Sequence, residues 1–512
     1  MFFYQAFKMR FYLLSLIFFV ACSNEKKVSH ATAFNEPHRP QIHFTPPAHW
    51  MNDPNGLVYF NGTYNLFYQY YPDSTVWGPM HWGHATSTDL VHWQHQPIAL
   101  YPDSLGYIFS GSAVVDSNNT SGFGKDGKIP LVAIFTHHDP KGEKEGKNNF
   151  QNQSIAYSLD EGKTWTKYEH NPVLKNPGIR DFRDPKVSWN EEANKWIMTL
   201  ATFDRIGFYS SSNLKDWAKE SEFGLGIGAH GGVWECPDLF SFSYEGKKIW
   251  VLIVNLNPGG PNGGSATQYF VGDFDGHKFI PFTTETKWLD YGPDEYAGVT
   301  YSNVANRRLF LGWMSNWLYG QRVPTEKWRS AMTVPRDLSL ERIGDKFFVR
   351  SMPAAELNKL SQQQDSLENI DASNFDLTSR TGKISGPAEL NFSSDQIENF
   401  TITLSNNQGE KLLIGYDKSS NNYFIDRTQS GFVSFEKDFA AKHTAPRISG
   451  KSNVQLTLII DDASVELFAD NGLSVMTEIF FPKNSYSSLG IQSPDHLKIK
   501  SLKFEKLKSM YE

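Results

Sequence analysis

Three carboxylates in this chain of 512 residues stand in settings that suit chemistry. Asp53 lies in His49-Trp50-Met51-Asn52-Asp53-Pro54-Asn55-Gly56, between an amide and a proline–glycine pair and just after two large apolar residues. Asp184 lies in Arg183-Asp184-Pro185, and Glu235 in Trp234-Glu235-Cys236-Pro237. Asp-Pro-Asn-Gly is a turn signal, because proline fixes φ and glycine or asparagine tolerates positive φ, so the first motif is expected to form a turn. A carboxylate paired with a protonated carboxylic acid can attack a carbon and protonate the oxygen that leaves it, which is what cleaving a glycosidic bond requires. In such a pair the charge of one partner raises the pKa of the other. A third acid beside an arginine suits vicinal hydroxyls, since carboxylate accepts hydrogen bonds and guanidinium donates them.

The elements that carry these acids are short. From about residue 40 to 345 β-type runs alternate with Gly, Asn, Asp and Pro. Tyr64-Asn65-Leu66-Phe67-Tyr68-Gln69-Tyr70, residues 131–135 and residues 249–254 all suit strands, and no long stretch shows a 3.6-residue period. A degenerate repeat runs through them. His84-Ala85-Thr86-Ser87-Thr88-Asp89-Leu90-Val91-His92-Trp93 is echoed by segments that close at Trp165, Trp217 and Phe279, in steps of 72, 52 and 62 residues. A period near 60 fits a four-stranded propeller blade, and about 300 residues then make five blades. Asn52-Asp53, Phe109-Ser110-Gly111-Ser112, Arg183-Asp184, Glu235-Cys236 and Asp294-Glu295-Tyr296 fall roughly one blade apart, so a propeller would bring them to one funnel. The expected architecture is all-β: a five-bladed β-propeller over residues 38–350, a short helical linker over 351–369, and a β-sandwich over 370–512. Alternating runs at 400–404, 411–416, 454–460 and 464–468 mark strands of the second domain.

Composition narrows the partners. Aromatic residues make up 14% of the chain, with 14 Trp and 22 Tyr, a surplus that suits all-β cores and the stacking of flat sugar faces. The formal charge is −7, and −9 without the first 21 residues, which carry Lys8 and Arg10 and no acid. A mildly acidic chain with no basic run argues against nucleic acid or an anionic membrane surface. Residues 11–20 form an apolar run too short for a permanent span, so residues 1–21 are expected to be a signal peptide. Phe19-Val20-Ala21-Cys22 resembles a bacterial lipobox. A lipid on Cys22 would be the only membrane attachment, residues 22–37 the tether, and the outer membrane the destination. With Cys22 lipidated, Cys236 has no disulfide partner and is expected to be a packed neighbour of Glu235. No Cys/His cluster has metal-site spacing, His137-His138-Asp139 is expected to be loop decoration, and no cofactor is called for.

The ordered set Trp-Met-Asn-Asp-Pro-Asn-Gly, Phe-Ser-Gly-Ser, Arg-Asp-Pro and Glu-Cys resembles glycoside hydrolase family 32, which contains invertases, inulinases and levanases. The likeness continues through Trp82-Gly83-His84-Ala85, Tyr296-Ala297-Gly298-Val299-Thr300 and Gly312-Trp313-Met314-Ser315-Asn316-Trp317 to Trp328-Arg329-Ser330. In the second domain it rests on Ile425-Asp426-Arg427-Thr428 and Ser464-Val465-Glu466-Leu467-Phe468. The resemblance implies that Asp53 is the nucleophile, Glu235 the general acid and base, and Asp184 a grip on fructose hydroxyls with Arg183 beside it. It also implies that Asn52, Gln69, Trp77, Phe109, Ser110 and Trp313 line a pocket for one fructosyl unit of a fructan or fructo-oligosaccharide. Exo-acting release of fructose from levan, inulin or sucrose is then the expected activity. An endo-levanase, or a fructan-binding lipoprotein without catalysis, are the alternatives.

Overall fold

The computed structural model describes residues 34–512. The expected signal peptide, the lipidation site Cys22 and the tether up to residue 33 lie outside the described residues. Two of the last four tether positions are held against the fold: Phe34 stacks on Tyr511 with ring centroids 4.0 Å apart, and Glu36 accepts both Nε and Nη2 of the buried Arg39 at 3.0 Å.

Five antiparallel sheets form the propeller. Their inner strands are His49–Phe60, Tyr107–Val115, Phe182–Asn190, Val233–Tyr244 and Tyr296–Thr300. Each inner strand touches the next, and the fifth touches the first, so the sheets close into a ring. Closure is reinforced by a parallel pairing of His49 and Trp50 with Trp328 and Arg329. Backbone bonds from Ser302 N to Leu57 O (2.9 Å) and from Tyr59 N to Ser302 O (3.0 Å) add to it.

The sequence repeat is the turn between the third and fourth strands of a blade. In each of the first three blades a serine ends the third strand, and its hydroxyl accepts the backbone N–H of the Asp or Asn two residues on. The pairs are Ser87 with Asp89 (3.0 Å), Ser158 with Asp160 (3.4 Å) and Ser211 with Asn213 (3.1 Å). This is a local device that serine, Asp and Asn supply by themselves. In the second and third blades the closing tryptophan ties the turn back: Trp165 Nε1 donates to Gly162 O and Trp217 Nε1 to Leu214 O.

Every inner strand also carries one extra residue. Three steps along the strand, at 51–54, 108–111, 183–186, 235–238 and 296–299, face two steps of its neighbour. Asp-Pro-Asn-Gly is therefore not a turn. It lies within the strand His49–Phe60, with Pro54 paired opposite Tyr68 and a second irregularity between Asn55 and Val58, where Gly56 takes φ 59°. Pro54, Pro185 and Pro237 all fall in this bulge, where a missing N–H breaks least of the ladder. At Gly56 a side chain would strike Phe67 and Trp82, which fixes glycine there.

The β-sandwich has two six-stranded sheets around one apolar core. The linker expected over 351–369 is absent. Lys346–Pro353 still belongs to the fifth blade, Ala355–Leu360 is a 3-10 turn, and Ser361–Asp371 is an edge strand of the sandwich paired with Lys498–Leu507. That strand is mostly exposed, so its Ser/Gln-rich sequence lacks the apolar alternation of a half-buried strand.

Between the two domains lies a layer of buried charge. Arg336 donates to Asp290 Oδ2 at 2.9 Å and to Glu466, and Arg427 donates to Asp294 Oδ2 at 2.6 Å and to Tyr319 Oη at 2.8 Å. His43 sits between Asp461 (2.7 Å) and Glu466 (2.8 Å). Burial by itself would lower the His43 pKa, but these two carboxylates outweigh it and hold the imidazole at about 9 instead of 6.5. Charged His43 therefore stabilises the fold fully below pH 6.5, and the contribution is lost as pH rises through 9. We expect the parent to melt well above His43→Gln at pH 6, with the gap shrinking toward pH 9.5. A gap that widens with pH would contradict this reading of the ion cluster.

Candidate active site

The bulge aims the site. In a regular strand consecutive side chains point to opposite faces, yet Asn52 Nδ2 donates to Asp53 Oδ1 at 2.8 Å. The extra residue makes this meeting possible. Asn52 is itself oriented by Trp50 Nε1, which donates to Asn52 Oδ1 at 2.7 Å. The other carboxylate oxygen, Asp53 Oδ2, accepts the Ser110 hydroxyl at 2.7 Å from the equivalent bulge of the second blade. It also accepts the Cys236 thiol, at 3.5 Å, from that of the fourth.

In the third, fourth and fifth blades the second bulge residue takes a left-handed conformation: Asp184 at φ 64°, Cys236 at φ 41° and Ala297 at φ 54°. For residues other than glycine this costs on the order of 1–3 kcal/mol each, and surrounding contacts must hold it. They do so at Asp184, whose N–H donates to Thr136 Oγ1 at 3.1 Å and whose Oδ2 accepts Cys236 N at 3.1 Å. Arg183 lies beside it, with Nε 3.9 Å from Asp184 Oδ2. Asp184 is 5% exposed. Burial pushes its carboxyl up to about 7, with Arg183 opposing and the charges of Glu235 and Asp53 adding to the rise.

Glu235 is gripped from two blades. Its Oε1 accepts Arg183 Nε at 3.2 Å and Nη2 at 2.9 Å, and its Oε2 accepts the Tyr296 hydroxyl. Asp181 holds the other side of the Arg183 guanidinium. The three acids thus form one cluster: Cys236 hydrogen-bonds to both Asp53 and Asp184, and Arg183, hydrogen-bonded to Glu235 and 3.9 Å from Asp184, ties Glu235 to them. Burial and the neighbouring carboxylates push the Cys236 thiol well up, so it keeps its proton and serves as a donor, not a nucleophile.

The remaining expected residues fall into two groups. Phe109 and Trp77 form an aromatic wall with ring centroids 6.0 Å apart, and Trp77 is 37% exposed. Phe109 is backed by His138, stacked at 4.2 Å, and its carbonyl accepts Trp82 Nε1 at 3.0 Å. His137 and His138 are therefore not loop decoration: both are buried strand residues, and His138 supports the wall. Gln69 and Trp313 are buried, and Gln69 Nε2 and Trp313 Nε1 have no protein partner. Trp313 is fully buried against Trp317 and Trp50, at 4.9 and 6.1 Å, so it stands behind the Asn52–Asp53 strand and not on an open wall.

Sequence reasoning missed Tyr296, Thr136, Asp181 and Trp50 as supports. Tyr296 was within reach, since it fills in the fifth blade the bulge position that Arg183 and Glu235 fill in the third and fourth. Thr136 and Asp181 carry no such signal.

Asp184 makes a testable linkage. Its pKa is raised from the unfolded value near 3.8, so the folded chain holds a proton that the unfolded chain releases, and this group's contribution to stability is lost as pH rises through about 7. Asp184→Asn cannot ionise, so it should melt above the parent at pH 8 and show little or no advantage at pH 4. Calorimetry showing the same difference at both pH values would reject the shift.

Comparison with known proteins agrees with this geometry. The family models described as glycosyl hydrolases family 32 N-terminal domain and family 32 C terminal match residues 43–351 and 356–507. A levanase of Bacillus subtilis is 46% identical over 492 residues, covering 93% of this chain and 72% of the levanase. The extracellular exo-inulinase of Aspergillus ficuum is 43% identical over 495 residues, covering 89% and 92%. Among solved structures, exo-inulinase from Aspergillus awamori superposes with a TM-score of 0.84 at 38% identity, over 93% of this chain and 99% of that one. The β-fructofuranosidase of Schwanniomyces occidentalis complexed with fructosyl-erythritol gives 0.84 at 34% identity, over 94% and 99%. With both family models spanning nearly all the described residues and the acids of its motifs gathered at one end of the propeller axis, this chain is a member of glycoside hydrolase family 32.

Proposed function

We propose that the chain hydrolyses β-fructofuranosidic bonds, releasing fructose from the end of levan, inulin or sucrose. The observation that carries this reading is the cluster of Asp53, Asp184 and Glu235, held together by Cys236 and Arg183, on the inner strands of three blades. Relatives named levanase, exo-inulinase and β-fructofuranosidase support the substrate class and the exo action.

In the mechanism we infer, Asp53 attacks the anomeric carbon, C2, of the terminal fructosyl unit. Ser110 and Asn52 hold both its oxygens and so fix its line of approach. Glu235 gives its proton to the departing glycosidic oxygen, then removes one from the water that frees fructose from Asp53. Asp184 accepts sugar hydroxyls. Trp77 and Phe109 supply the apolar wall.

Time-resolved chromatography of products from levan tests this. Free fructose should be the first product, whereas oligosaccharides without fructose would establish endo action and overturn the exo reading. In the same assay Asp53→Asn and Glu235→Gln should lose several orders of magnitude in turnover with the fold intact. On a fructoside whose leaving group needs no proton, Glu235→Gln should release a burst of about one leaving group per enzyme, because only the second step still lacks its base, and Asp53→Asn should give no burst.

We further propose that the chain is exported and anchored by a lipid on Cys22, as its lipobox-like segment suggests; extracellular is also the word used of the Aspergillus exo-inulinase. Cys22→Ala should move the enzyme from the membrane fraction to the soluble fraction of a Gram-negative host. An unchanged distribution would remove the anchor.

A further inference from the structure

Phe203 is an aromatic residue where the backbone asks for glycine. It follows the strand Lys195–Thr202 in the tight hairpin turn to Ile206–Ser211, and Thr202 N donates to Arg205 O at 2.9 Å across that turn. Phe203 takes φ 68°. Turns that open on positive φ favour Gly, Asn or Asp, and a bulky side chain there is an outlier that its surroundings must hold. The ring is 50% exposed, so packing against the fold does not explain its presence.

Two short bonds hold this strained backbone, and both come from the strands of the site. Phe203 N donates to Asp181 O and Phe203 O accepts Trp234 N, each at 2.7 Å. Asp181 grips the Arg183 guanidinium that holds Glu235, and Trp234 directly precedes Glu235. Phe203 thus bridges the third and fourth blades at the end of the axis where the three acids gather. A backbone bond brings Cα atoms to about 5 Å and a chain step adds about 3.8 Å, so its Cα lies within roughly 9 Å of that of Glu235. A strained residue beside a reactive group points to a function for the strain.

The role of Glu235 says what the ring would meet. Glu235 protonates the departing oxygen, so the group that carries this oxygen leaves along the Glu235 side of the mouth. In sucrose, inulin or levan that group is a second sugar. A sugar ring has apolar C–H faces and hydroxyls around its edge, which suits an aromatic face with polar neighbours. Phe203 has such neighbours, each about a third exposed and so within reach of a ligand. Asp204 Oδ1 is 3.4 Å from Arg205 Nε, and Asp204 Oδ2 is 3.9 Å from Nδ1 of His230, whose ring stacks on Trp234 at 5.0 Å. A carboxylate, a guanidinium and an imidazole together offer hydroxyls both acceptors and donors.

We propose that Phe203 is the platform for the sugar on the leaving side of the cleaved bond. Its ring favours fructosides whose leaving group is itself a sugar ring, a reading that rests on the function proposed above.

Steady-state kinetics on sucrose, on short inulin and on methyl β-D-fructofuranoside, whose leaving group has no ring, tests this. The measure is kcat/KM on sucrose or inulin divided by kcat/KM on the methyl fructoside. In Phe203→Ala and Phe203→Gly that ratio should fall by about fivefold or more, and in Phe203→Tyr it should stay within about twofold of the parent. Phe203→Gly should melt above Phe203→Ala, since glycine alone takes this positive φ without strain. An unchanged ratio in the alanine and glycine variants would overturn the proposal, because the ring would then do nothing for the leaving sugar. Equal melting temperatures would remove the strain on which it stands and overturn it too. A parent inactive on all three fructosides would overturn the proposed activity and the platform together, whereas an active parent with an unchanged ratio in its variants overturns the platform alone.

Discussion

One extra residue in each inner strand governs this molecule. A five-bladed propeller gathers inner strands around its axis, but regular strands would alternate side chains toward and away from the next blade. The bulge breaks that alternation at the same level in every blade. Asn52 and Asp53 can then touch, and the left-handed turn at Asp184 and Cys236 lets the backbone N–H of one meet the carboxylate of the other. Blade by blade the bulge presents a different position: its third residue at Asp53 and Ser110, its second at Asp184, its first at Arg183, Glu235 and Tyr296. Five copies of one distortion thus give an asymmetric site.

The strain of these conformations is held by bonds from neighbouring blades, not by the strand that bears it. Ser110 fixes Asp53, Thr136 fixes the Asp184 backbone, Arg183 and Tyr296 fix Glu235, and Cys236 links two of the acids. Each support comes from a blade other than that of the acid it holds, so site geometry and ring closure are coupled. The sandwich reaches into the same arrangement. Arg427 binds Asp294, two residues before Tyr296, and so secures the entrance to the fifth inner strand. Breaking a buried pair of this kind costs about 3–5 kcal/mol, because a charge is left without compensation. The second domain therefore buttresses the site without contributing a residue to it.

Much of this was legible in the residues. Serine followed two positions later by Asp or Asn, with an aromatic closing the segment, marks a turn whose hydrogen bonds are local, and the repeat gave the blades away. Acid motifs one blade apart indicated a shared funnel. The polar strand Ser361–Asp371 was hidden because an exposed edge strand need not alternate. His137 and His138 read as a loop because they are a polar pair between Thr136 and Asp139, whereas their burial depends on Phe109 and Ser154 packing against them.

Asp-Pro-Asn-Gly shows where the division falls. By itself the sequence determined the period of the blades, the choice of acids, and a local backbone departure at Pro54 and Gly56, since these depend on side chains within a few residues of each other. Whether that departure closes a turn or bulges a continuous strand was decided only by the tertiary structure. Pairing with Tyr68 and Tyr70 on one side and Trp328 on the other, set by partners up to nearly 280 residues away, supplies the hydrogen bonds that keep the strand extended. The same long-range closure turned three separate carboxylates into one cluster, because only ring geometry brings Asp53, Asp184 and Glu235 to the same end of one axis.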